Sequence, residues 1–121
     1  MISFKANVPK RLLEIRYGAV VRGEDCEKGF EPLRASVDQL ETGFRVLVDL
    51  TELESMDVKC APFIEKAMDL CNERGASMVV RVIPDPHRDI GMTIMSVFHY
   101  RGDVKIFTCQ TLAEAEELLS G

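Results

Sequence analysis

The apolar positions of the chain alternate between short β-prone runs and helical stripes. Residues 11–22, RLLEIRYGAVVR, hold two such runs around Tyr17 and Gly18, and the glycine predicts a turn that pairs them as strands. Over residues 24–41, Cys26, Phe30, Leu33, Val37 and Leu40 recur at spacings of four, three, four and three, which puts them on one helical face. Gly29 and Pro32 break the first half of that stripe, so a late start or a kink is expected, because proline has no N–H to donate. Residues 44–50, FRVLVDL, form a nearly continuous apolar run, the pattern of a central strand covered on both faces. A loop, TELESM, is expected after it.

Asp57 is placed to cap a second helix that runs to about Arg74, with Cys60, Ile64, Ala67, Met68 and Cys71 on its apolar face and Gly75 beyond its end. MVVRVI, residues 78–83, is the next strand, closed by Pro84, Asp85 and Pro86. Helical spacing of Ile90, Ile94, Val97 and Phe98 follows, then a last strand, VKIFT, at residues 104–108. Thr111 and Glu114 make a T-x-x-E capping box ahead of a C-terminal helix. The expected order is β-β-α-β-α-β-α-β-α. This is a single α/β domain over residues 1–121, with its core at about 10–120, and a mixed, mostly parallel sheet of about five strands with about four helices.

Composition supports one folded domain and narrows the function classes. The 121 residues are 46% hydrophobic and 29% charged, too apolar for a disordered chain. A net charge of −5 disfavours nucleic acid and anionic lipid as partners. No run reaches the roughly 18 apolar residues of a membrane span, and MISFKANVPKR lacks the apolar centre of a signal peptide, so a cytoplasmic location is expected. Cys26, Cys60, Cys71 and Cys109 form no CxxC pair and read as reduced thiols. His87 and His99 have no partner at a metal-ligand spacing, so neither a metal nor a cofactor is expected.

Catalytic signatures are missing as well. The glycines make no phosphate-binding loop, and no GxSxG elbow is present. Glu114, Glu116 and Glu117 read as the solvated face of the last helix rather than as paired catalytic carboxylates. The chain is therefore not expected to be an enzyme. Cys60 is the one thiol with a chemical rationale: a helix start and the adjacent Lys59 would both favour thiolate, although its place on the apolar stripe points to burial. Met92, Met95 and Phe98 read as packing, with a small-ligand or lipid pocket as the alternative.

The run VLVDLTELESMDVKCAPFIEKA resembles a segment of STAS domains, the anti-sigma-factor antagonists, in which a strand ending in D-L-S leads to an apolar-Asp pair and a helix. Gly23, Glu24 and Asp25 resemble that family's G-E-L-D turn, VVRVIPDP its next strand and turn, and TLAEAEELL its last helix. The resemblance spans roughly residues 10–120 and implies the element order already obtained.

It also implies a non-catalytic regulatory module that docks on an anti-sigma, kinase-like or sensor protein, or on another such domain. The docking surface would lie within residues 51–63, at Ser55, Met56, Asp57, Val58, Lys59 and Cys60. Phosphorylated members carry Ser or Thr after the Asp. Here Val58 and Lys59 follow Asp57, so the phospho-switch is missing, and Ser55 or Thr51 would be the only displaced acceptors nearby. Homo-oligomerisation is open, and the alternative reading is a small-ligand or lipid sensor of the same fold.

Overall fold

The computed structural model describes residues 1–83 and 104–120. Its sheet has five strands: β1 (Ile2–Asn7), β2 (Leu12–Val21), β3 (Arg45–Met56), β4 (Met78–Val82) and β5 (Lys105–Cys109). They lie side by side in chain order, β1 antiparallel to β2 and every later pair parallel. Helix α1 (Gly23–Asp38) connects β2 to β3, and a 3-10 turn (Val58–Cys60) followed by helix α2 (Ala61–Glu73) connects β3 to β4. Helix α3 (Leu112–Ser120) ends the described chain. The mixed α/β sheet agrees with the expected class, and three α-helices are present among the described residues. The helix expected from Ile90 to Phe98, with His87 and His99, lies outside them.

Strand periodicity divides the core between the two faces of the sheet. Leu13, Ile15 and Tyr17 of β2 and Val46, Val48 and Leu50 of β3 pack with Cys26, Leu33 and Val37 of α1 and Cys60, Ile64, Ala67, Met68 and Cys71 around α2. Leu12, Leu47, Val80, Val82 and Cys109 face the other way, onto Ala115 and Leu119 of α3. Every residue assigned to the apolar face of the second helix is buried.

Three local expectations are corrected. Residues 12–21 are one strand rather than a hairpin: β2 turns back on β1 through residues 8–11, where the Arg11 N–H donates to the Val8 carbonyl at 3.0 Å. Gly18 marks a register shift against β3, not a turn. Pro32 lies inside a continuous α1, and the helix begins at Gly23 rather than late. Gly29 does not break the helix either, and a Cβ there would make only ordinary contacts, 3.5 Å from the Phe4 ring and 3.6 Å from Phe63. Finally, TELESM is not a loop. β3 continues through it to Met56 because β2 is long enough to pair with it, and Leu53 and Met56 turn inward between exposed Glu52, Glu54 and Ser55.

Gly75 ends α2 as expected, at φ +88, and its carbonyl accepts from the Gly43 N–H at 2.7 Å. A Cβ on this residue would lie 2.5 Å from the Thr42 methyl. Gly75→Ala is expected to lower stability by about 1–3 kcal/mol, from left-handed backbone strain plus overpacking. Adding Thr42→Ser should recover only the steric part, and equal urea midpoints for wild type and Gly75→Ala would remove the argument.

Candidate functional site

The site is assembled where α1 begins beside the 3-10 turn. Asp57 is the hinge point: its N–H donates to the Val21 carbonyl at 2.9 Å, tying the end of β3 to the end of β2, and its Oδ1 accepts from the Lys59 N–H at 3.0 Å. The expected capping role is therefore present, applied to the 3-10 turn that leads into α2. Across from it the Arg22 N–H donates to Asp25 Oδ2 at 2.9 Å, closing the first turn of α1. The two turns touch, since a Cβ on Gly23 would lie 3.2 Å from Lys59 Cβ and 3.9 Å from Asp57 Oδ2. Two motifs more than thirty residues apart in sequence thus form one surface.

Of the six expected docking residues, Ser55, Val58 and Lys59 are exposed and Asp57 is half-buried. Val58 is 62% exposed. Met56 and Cys60 belong to the core, at 8% and 0% exposure, so neither presents a side chain to a partner. A second register shift, where Ala19 pairs with Leu53 but Val20 with Ser55, turns Met56 inward, and the 3-10 turn places the Cys60 thiol 3.9 Å from the Val21 carbonyl.

The two displaced acceptor positions differ. The Thr51 hydroxyl donates to Asp49 Oδ1 at 2.7 Å, so phosphate there would be forced against a buried carboxylate. Ser55 stands exposed at the end of β3.

Burial also decides the thiol chemistry. Desolvation pushes the Cys60 thiol up, a hydrogen bond with Cys26 lowers it, and the carboxylates of Asp57 and Asp25 add to the rise. The net direction is opposite to the activation expected from Lys59 and the helix start, so Cys60 is held as an inert thiol. Cys26 is likewise raised by burial, and Cys71 is pushed up to about 12 by the same cause. Among the described residues no cluster of three or more potential ligands suits a metal ion, and no helix is long and apolar enough to cross a membrane. Met92, Met95 and Phe98, the basis of the ligand-pocket alternative, lie outside the described residues.

Between α1 and α2 opens a groove of about 890 Å³. Cys26, Phe30, Pro62 and Phe63 contribute its apolar lining, and the Arg34 guanidinium sits 5.2 Å from the centre of the Phe30 ring. Charged residues from both helices line its sides, Glu24 and Glu27 from α1 and Lys66 from α2. The α1 side was absent from the sequence reading of the site. The signal available for it was the Gly23, Glu24, Asp25 run, whose approach to Lys59 is a tertiary contact.

A mixed sheet with one antiparallel edge strand, two helices on one face and a capped turn after the third strand defines a STAS-like fold. Comparison with solved structures bears this out. The anti-sigma factor antagonist SpoIIAA in its unphosphorylated form superposes with a TM-score of 0.69 at 14% identity, covering 100% of this chain and 99% of that one. A putative anti-sigma factor antagonist from Thermotoga maritima gives 0.65 at 16% identity, covering 100% and 96%. An uncharacterized protein of the DUF3478 family with a SpoIIAA-like fold, from Shewanella loihica, gives 0.65 at 15% identity, covering 98% and 92%. No family model matches the sequence, and no curated protein matches it.

Proposed function

We propose that the chain is a non-catalytic regulatory module that acts by docking on a protein partner through the end of β3, the 3-10 turn and the adjoining rim of the α1–α2 groove. The observation that carries the reading is the exposed Ser55, Val58 and Lys59 held on a rigid base, with Asp57 fixed by backbone hydrogen bonds on both sides. Phe30, Pro62 and Phe63 give the adjoining groove an apolar centre rimmed by charged groups, the anatomy of an interface. The fold shared with anti-sigma factor antagonists supports a partner of the anti-sigma, kinase-like or sensor kind, and with it a cytoplasmic signalling role in transcription control of the bacterial type.

Val58 stands where phosphorylated relatives of the resembled family carry a hydroxyl, so docking here is not switched by phosphate at that position. Capture from native cytoplasm with wild-type chain and Lys59→Glu in parallel, read by mass spectrometry, tests the reading. A partner retained by wild type and lost at least about tenfold with the reversal is expected, since a rim charge steers and registers the encounter. A partner bound equally by both baits would overturn the surface.

A further inference from the structure

We infer that the α1–α2 groove also docks on a second copy of this chain, in a two-fold symmetric dimer whose axis runs along the groove. The charges that line it carry the argument. On the α1 side the order from the groove's end is Arg22, Glu24, Glu27, and on the other side it is Asp57, Lys59, Lys66.

The two rows run in the same direction and in step. Gly23 abuts Lys59, the Cys26 thiol is in hydrogen-bond contact with that of Cys60, and Gly29 faces Phe63. At the end where the turns touch the two sides therefore carry opposite signs, Arg22 level with Asp57 and Glu24 with Lys59, and beyond it the α1 side stays acidic with Glu27 and the α2 side basic with Lys66.

A two-fold axis along the groove places the α1 side of one copy over the α2 side of the other at the same level. Arg22 then meets Asp57 of the second copy and Glu24 its Lys59, while Glu27 and Lys66 keep the acidic side over the basic side further along. An axis across the groove would instead lay each side on its own copy, where two of the three charges share a sign. Among the described residues none of the six forms an ion pair within its own chain, so each is available to a second molecule.

The patch carries three basic and three acidic groups on a chain of net charge −5, so it is neutral where the whole molecule is repulsive. Facing grooves also bring together the apolar linings of Phe30, Pro62 and Phe63.

Dimerisation does not depend on the docking role. If both hold, self-association covers Lys59 and competes with the partner, so chain concentration would take the place of the missing phosphate as the switch.

The test uses purified chain alone, in sedimentation equilibrium at low salt. Wild type is expected to be dimeric at about 100 µM, as a small interface of this kind allows. Glu24→Lys/Glu27→Lys and Lys59→Glu/Lys66→Glu are each expected to be monomeric there. An equimolar mixture of the two should restore a dimer, since each reversed side then meets its complement, and matching circular dichroism melts would exclude misfolding. A monomeric wild type, undiminished dimerisation of either variant, or a mixture that stays monomeric would overturn the proposal. None of these outcomes touches the partner capture, which is read independently.

Discussion

Raising the pH from 8 to about 11 under reducing conditions is expected to unfold the domain, through the thiols packed against Tyr17. Cys26, Cys60 and Cys71 all surround that fully buried ring, and burial raises each of them and the phenol too. An ordinary cysteine ionises near 8.5. Because the folded chain holds these protons more tightly, the stability they contribute is complete below that value. It is lost as pH rises through the window towards the folded pKa, about 12 for Cys71.

Each strongly raised thiol removes roughly 1 kcal/mol per pH unit across the window. Two or three of them together consume a large part of the roughly 5–15 kcal/mol that holds a domain of this size. Urea melts at pH 8, 9, 10 and 11 should show midpoints that fall ever more steeply. Cys71→Ala, though less stable at pH 8 from the cavity it leaves, should fall less steeply. A midpoint independent of pH between 8 and 10.5 would show that the thiols ionise normally in the folded chain.

That cluster was half visible in the sequence. The stripe of Cys60, Ile64, Ala67, Met68 and Cys71 identifies a buried helix face because its period needs only one element to be read, and all five are buried. The contact of Cys60 with Cys26 and Tyr17 needs the sheet, and from the sequence alone Cys60 carried arguments for activation as well as burial. Desolvation leads the upward shift of Cys60, and the Lys59 side chain lies against Gly23.

The strand errors have one cause. ISFKAN alternates with period two, yet it is an edge strand whose inward residues are only half-buried, and its pairing with β2 is what turns RLLEIRYGAVVR from a hairpin into a single strand. Likewise TELESM reads as a loop until β2 supplies a neighbour. The resemblance located the turn at Asp57 correctly in the chain, whereas the α1 side of the groove came only from the close approach of Gly23.

Asp49→Ala is expected to destabilise the domain by about 2–3 kcal/mol and to loosen the half of β3 that leads to Ser55 and Asp57. Asp49 is 3% exposed in the middle of the sheet, where an ionised side chain is costly unless its lone pairs are filled. Three donors fill them: Arg16 Nε at 3.0 Å, the Thr51 N–H at 2.9 Å and the Thr51 hydroxyl at 2.7 Å. Thr51 needs this help because the ladder changes there. β4 ends opposite Asp49, at Val82, and β2 shifts register between Arg16 and Gly18, so Leu50 and Thr51 together oppose Tyr17.

The carboxylate thus bridges the bulge and carries β3 from its fully paired half into the half held by β2 alone, on towards Ser55 and Asp57. Removing it strands the Thr51 amide and frees a half-exposed Arg16, a smaller loss than for a wholly buried pair. Asp49→Asn keeps an acceptor oxygen for Thr51 and should recover more than half of the loss. Urea melts measure the stability, and hydrogen exchange at the Thr51 amide measures the local effect, expected to accelerate more than exchange at Val46. An alanine variant as stable as wild type, or exchange that quickens equally at both amides, would show that the bulge is held by the ladder and not by Asp49.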